Sequence, residues 1–165
     1  MTITTTLRRP DALAGAGLID QSQLPGLEQV AARYAVAITP AMADLIDIDD
    51  VNDPIARQFV PQLSELQSQP GELADPIGDE VHSPVEGIVH RYPDRVLLKA
   101  THACAVYCRF CFRRETVGPT GTKALSPKAL DAAIRAVRAR RRRADRTRGS
   151  PPVRITSQIA GCAAM

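Results

Sequence analysis

Three of the four cysteines in this 165-residue chain fall in one short stretch, Cys104-Ala-Val-Tyr-Cys108-Arg-Phe-Cys111, a C-x3-C-x2-C spacing. Thiolates are soft ligands suited to zinc, copper(I) or iron-sulfur clusters. Three from one compact loop can surround a [4Fe-4S] cubane and leave its fourth iron open to a second molecule. Two plainer readings stand beside that one: a zinc site completed by His102, or three ordinary thiols that are neighbours in a loop. Zinc sites usually divide their ligands into two separated pairs, and the one remaining cysteine, Cys162, stands alone near the end of the sequence.

Around this loop the elements follow a definite order. From Asp11 to about Tyr34 the apolar residues recur at helical intervals, interrupted by Pro25-Gly26, which predicts two short helices. Thr39-Pro40 is an N-cap with Pro at the first helical position, so a further helix is expected over Ala41 to Ile46, and another starts at Asp53-Pro54. Pro70 to Pro84 reads as a loop. Gly87 to Arg91 and Arg95 to Thr101 read as strands joined by the tight Tyr92-Pro93-Asp94 connection. The continuous run Val96-Leu97-Leu98 suits a strand covered on both faces, as in a parallel sheet. Beyond the cysteines, Ser126-Pro127 caps a helix carrying Ala129, Leu130, Ala133, Ile134 and Val137. Strand, functional loop and helix in that order make a β/α unit, and the fold class is α/β.

Composition narrows the function classes. Hydrophobic residues make up 44%, charged residues 24% and aromatics only 4%, enough for a lean core and against wholesale disorder. No run of about 18 apolar residues exists, and Met1 to Arg9 has no apolar segment behind its charges. A cytoplasmic protein without a membrane span is therefore expected, a setting that disfavours disulfides. The net charge of +3 hides an asymmetry: residues 1–134 sum to −5 and residues 135–165 to +8, the latter from nine Arg and the single acid Asp145. An Arg-rich tail could contact nucleic-acid phosphates, but residues 135–165 hold no aromatic on which a base could stack, so that reading is weak. The tract from Arg138 has no apolar face and is expected to be disordered.

The strings Ser83-Pro-Val-Glu-Gly-Ile-Val-His-Arg-Tyr-Pro-Asp-Arg95 and Thr101-His-Ala-Cys-Ala-Val-Tyr-Cys-Arg-Phe-Cys-Phe-Arg-Arg-Glu-Thr-Val-Gly118 resemble the radical S-adenosylmethionine superfamily, and within it the lysine 2,3-aminomutase family. Asp53-Pro-Ile-Ala-Arg-Gln58 adds weaker support, and the likeness runs from about residue 11 to about residue 137. The resemblance implies that Cys104, Cys108 and Cys111 ligate a [4Fe-4S] cluster whose open iron chelates S-adenosylmethionine, with Phe110 near its adenine. Reduction by a flavodoxin or ferredoxin would then yield a 5'-deoxyadenosyl radical, and pyridoxal 5'-phosphate would carry nitrogen from C2 to C3 of L-lysine or a related amino acid. Arg91, Tyr92 and Arg95 match the positions that hold pyridoxal phosphate, and Arg113 matches the arginine that grips the substrate α-carboxylate. Both roles suit the planar guanidinium fork, although the plain alternative for each is a solvated surface arginine. Tyr107 could shield the cluster and Arg109 could anchor the loop, whereas His90 and His102 are read as packing or surface residues.

The resemblance further implies an N-terminal helical region over 1–86 and the start of a partial (β/α)6 TIM-type barrel over 87–137, after which composition makes 138–165 an Arg-rich disordered tail. A second barrel strand ending in Leu-Thr-Gly-Gly-Asp-Pro, a Schiff-base lysine and acidic residues for the substrate ammonium have no match here. The expectation is thus a C-terminally truncated family member with an incomplete barrel and no turnover of its own. A frameshift would explain the tail, since Ala144 to Pro151 read one base later can spell nearly the missing string. A homo-oligomer is expected only of the intact family. The rival readings are a small zinc-binding module and an Arg-rich nucleic-acid-binding protein.

Overall fold

The computed structural model describes residues 3–117, 124–146 and 154–159 of the chain. They form two compact units. One comprises residues 3–74 together with 104–117; the other comprises residues 75–103, 124–146 and 154–159.

The first unit is built from short helices. Helix α1 (Pro10–Gly15) is followed by a 3-10 turn at Gln21–Gln23, α2 (Leu24–Arg33), α3 (Pro40–Ala43), α4 (Pro54–Phe59) and a second 3-10 turn at Leu63–Leu66. Pro25-Gly26 does not separate two helices as expected. Both residues lie in the first turn of α2, where proline loses no intrahelical hydrogen bond, and the interruption falls instead between Gly17 and Asp20. Thr39-Pro40 does open a helix, but it lasts only to Ala43. Asp53 caps α4 as its position before Pro54 predicts, its Oδ1 accepting the Ala56 N–H at 2.5 Å. Two apolar clusters hold the unit together. Leu7, Leu13, Val36, Ile38, Ala43 and Phe59 form one, and Leu27, Val30, Tyr34, Ala37, Tyr107 and Val117 the other. The second cluster draws on the cysteine loop, so the loop's own side chains complete a core whose remaining members come from the N-terminal helices.

The second unit is a three-stranded mixed sheet with a helix. Strands β1 (Ile88–Tyr92) and β2 (Arg95–Thr101) are antiparallel, with Ile88 opposite Leu98, Val89 opposite Leu97 and Tyr92 opposite Arg95. Helix α5 (Pro127–Arg146) follows, and β3 (Arg154–Ile159) then pairs parallel to the other edge of β2, Val96 opposite Ile155. A parallel neighbour requires a crossover connection, and α5 lies in it. Ser126 caps α5, its Oγ accepting the Ala129 N–H at 3.1 Å. Ala129, Ala133 and Val137 recur every four residues; the last two join Ile88 and Val96 in the unit's core, while Ile134 stays exposed. Val96 is buried, but Leu97 and Leu98 are only half-buried, so the run does not have the full cover on both faces that was expected of it.

Two expectations about the C-terminal part change. The helix does not stop at the Arg tract but continues through it to Arg146, since arginine is a good helix former. A second strand parallel to β2 is present as β3, although the Leu-Thr-Gly-Gly-Asp-Pro string is not. The segment assigned to a disordered tail therefore contains a helical end and a strand. Residues 147–153, which include most of the proposed frameshift string, lie outside the described residues, as do Gly118, Gly121, Lys123 and Cys162. The boundary expected after residue 86 also differs: the chain divides at 74/75, and the cysteine loop groups with the N-terminal helices.

Candidate functional site

The cysteine loop is fastened to the first unit on both sides of its middle ligand. Tyr107 N–H donates to the Ala37 carbonyl at 2.8 Å, and Arg109 N–H donates to the Gln58 carbonyl at 2.8 Å. Cys108, held between them, receives the Gln58 side-chain amide at its Sγ, 3.6 Å away. Cys108 also backs onto the Leu13 cluster and Cys104 onto the Tyr34 cluster. All three cysteines are half-buried.

Arg109 is the strongest anchor. Its side chain is 4% exposed and that of Glu65 12%. Arg109 Nε donates to both Glu65 oxygens at 3.0 and 3.2 Å, Nη2 donates to Oε2, and Nη1 donates to the Ala35 carbonyl at 2.6 Å. The guanidinium also lies 5.1 Å over the Tyr107 ring. Tyr107 donates its hydroxyl to the Arg114 carbonyl at 3.0 Å, and burial pushes its phenol pKa far up, so it remains a neutral donor. Arg109 thus anchors the loop to the helices of the first unit. After Cys111, Arg33 and Arg114 stack on the Tyr34 ring at 4.9 and 4.7 Å, and Arg114 pairs with Glu72 at 3.6 Å.

Phe110 and Arg113 present a different face. Phe110 is 75% exposed and borders a cavity of about 260 Å³ that is also lined by Arg57, Gln62, Glu65, Glu72 and Arg114. Arg113 is half-buried, its guanidinium 4.5 Å over the exposed Phe112 ring. Among the described residues no three His, Cys, Asp or Glu side chains converge into a metal-holding group. The donor set itself fits an iron-sulfur cluster: three soft thiols within one loop, the middle one already receiving an amide N–H of the kind that tunes cluster sulfurs.

In the second unit, the hairpin turn brings Tyr92 and Arg95 opposite each other, the Arg95 guanidinium 5.1 Å over the Tyr92 ring. Arg95 also pairs with Asp94 at 3.1 Å, which holds that carboxyl below the usual carboxylate range. Arg91 donates to the Ile77 carbonyl and lies 3.9 Å from Asp79. Two guanidiniums and a phenol on one exposed hairpin are a donor set that fits a phosphate. Glu65 and Asp79 were not picked out by sequence reasoning. Glu65 was legible as the end of a Gln62-x-x-Glu65 capping box; Gln58, which matters to Cys108, closes the Asp53–Gln58 string. His90 turns out half-buried with its Nε2 unpartnered, and burial, with help from Arg140 and His82, lowers its pKa below the ordinary 6.5.

The chain matches no protein-family model. It is similar to the L-lysine 2,3-aminomutase of Acetoanaerobium sticklandii, 43% identical over 109 residues that make up 66% of this chain and 26% of the relative. It is 37% identical over 136 residues to the L-lysine 2,3-aminomutase of Bacillus subtilis, covering 82% of this chain and 29% of that one. It is also 33% identical over 124 residues to the glutamate 2,3-aminomutase of Clostridioides difficile, 73% of this chain and 29% of the relative. These relatives are aminomutases, a class of isomerases. Within that class the chain belongs, over the segment it shares, to the lysine 2,3-aminomutase family. It spans between a quarter and a third of these relatives' length, 26% to 29%.

Proposed function

We propose that the chain carries the cluster-binding and cofactor-phosphate-binding part of a radical S-adenosylmethionine aminomutase that shifts an amino group from C2 to C3 of L-lysine or a related amino acid. The observation that supports this best is the cysteine loop, whose C-x3-C-x2-C thiols are half-buried and fastened by Ala37, Gln58 and Glu65 of the same unit. Cys104, Cys108 and Cys111 would hold a [4Fe-4S] cluster. A bound cluster supplies one electron to S-adenosylmethionine, and pyridoxal phosphate carries the migrating nitrogen.

The protein's own groups orient these partners. Phe110, exposed at the cavity rim, offers a stacking face to adenine. Arg113 offers a fork for the substrate α-carboxylate, and the Arg91, Tyr92 and Arg95 hairpin one for the cofactor phosphate. Tyr107 and Arg109, both buried, fasten the inner side of the loop against the core. The β2, α5 and β3 succession is the start of the family's partial (β/α)6 barrel, preceded by a helical region. The setting is the cytoplasm, with a flavodoxin or ferredoxin as reductant. Of the three lysines, Lys99 and Lys128 lie among the described residues, and neither stands in a context that resembles the family's Schiff-base lysine.

Electron paramagnetic resonance of the reconstituted, reduced chain tests the reading. Addition of S-adenosylmethionine should change the cluster signal, because the molecule binds the open iron. A signal indifferent to S-adenosylmethionine would contradict it.

A further inference from the structure

The hairpin that carries Arg91 and Arg95 also holds a third cation, Lys99, that the phosphate assignment does not use. Lys99 of β2 and Arg91 of β1 both approach one buried carboxylate, Asp79: Lys99 Nζ is 3.7 Å from Oδ2, and Arg91 Nη2 is 3.9 Å from Oδ1. The Asp79 side chain is 10% exposed, Lys99 18% and Arg91 35%. Asp79 is itself fixed by a tight turn. Its N–H donates to Asp75 Oδ1 at 2.8 Å, the Glu80 N–H donates to Asp75 Oδ2 at 2.7 Å, and Ser83 Oγ donates to the Asp79 carbonyl at 2.7 Å. The same two backbone N–H groups hold the Asp75 carboxyl below its usual range. Gly78 adopts φ 66°, which lets the turn close with Arg91 Nη2 4.0 Å from where a Cβ would stand.

A rigid post with one negative charge thus ties two flexible cations from neighbouring strands. The Asp75 carboxylate, which also feels Lys99, adds a second negative charge beside the trio, and the guanidinium remains the most exposed of its members. Such an arrangement lowers the entropy lost when a long side chain meets an anion, and holding the cations in place before binding is how preorganisation raises affinity.

We infer that Asp79 is a positioning residue that sets Arg91 and Lys99 as a paired cation site, and that Lys99 joins Arg91 in binding the phosphate group of the pyridoxal cofactor. The inference rests on the proposed role of Arg91 as a phosphate residue. It assigns Lys99 to electrostatic binding of the phosphate.

The test uses the full chain and two probes that cannot form an imine with lysine, pyridoxine 5'-phosphate and pyridoxine, with affinities measured by calorimetric titration. The readout is the preference for the phosphorylated probe, which a merely structural role would not move because it would weaken both probes alike. Asp79→Asn and Lys99→Gln should each reduce that preference about tenfold, while Asp79→Glu, which keeps the charge, should retain more of it than Asp79→Asn. Lys99→Gln keeps the test decisive if Asp79→Asn lowers the melting temperature. If Arg91→Gln removes the preference and Lys99→Gln and folded Asp79→Asn do not reduce it, the positioning inference is overturned and the reading of Arg91 stands. If the unaltered chain shows no preference, or Arg91→Gln leaves it intact, the reading of Arg91 itself fails and the inference falls with it.

Discussion

With four side-chain hydrogen bonds to Glu65 and Ala35, Arg109 ties the residue after the middle cysteine to the helical unit. Arg109→Ala would leave the Glu65 carboxylate largely buried without its cation. It should cost about 3–5 kcal/mol in chemical denaturation, the usual cost of breaking a buried pair from one side. A loss below about 1 kcal/mol, the range of surface pairs, would show that the pair is not the anchor described here. His90 makes a pH-dependent contribution. Its folded pKa lies below the ordinary 6.5, so below that pH the unfolded chain binds a proton that the folded chain resists. Stability should therefore hold above about pH 6.5 and fall as the pH drops from there to the folded value, where the loss levels off. His90→Gln should flatten that part of the stability profile, and an unchanged slope in the variant would assign it to other groups. The three loop cysteines stand out in the sequence by type and spacing, whereas Phe110 and the arginines are singled out only by the family resemblance. The sequence could not show that Arg109 pairs with Glu65, because that contact depends on how the helices bring residues 44 positions apart together.

At the scale of elements, the β1 to β2 hairpin, the Ser126 cap and the buried stripe of α5 were legible because each is a local pattern: turn residues, a capping side chain, a four-residue apolar repeat. The helical end through the Arg tract and strand β3 were not. Charge density obscured a run of good helix formers, and a parallel strand is recognised through its partner across a crossover rather than by local pattern. Gly87 marks where β1 begins. It adopts φ 81°, and a Cβ there would run into the end of the Leu125 side chain. Gly87→Ala should thus cost at least about 1–2 kcal/mol from the left-handed backbone alone, read as a lowered melting temperature. A variant as stable as the parent would mean that the strand start can relax without loss.

At the scale of the whole molecule, the two donor sets belong to different units. The thiols lie in a loop that completes a helical core, and the hairpin arginines lie on a small mixed sheet. Grouping the cysteine loop with the N-terminal helices explains how ligands local in sequence can be positioned by residues 104–117 and 3–74 alone. Whether this loop holds an iron-sulfur cluster is measured by anaerobic reconstitution with iron and sulfide. About four irons per chain and a broad visible absorbance are expected, both lost in Cys108→Ala. A colourless chain that takes up zinc instead, or iron binding indifferent to Cys108→Ala, would contradict cluster binding by the loop.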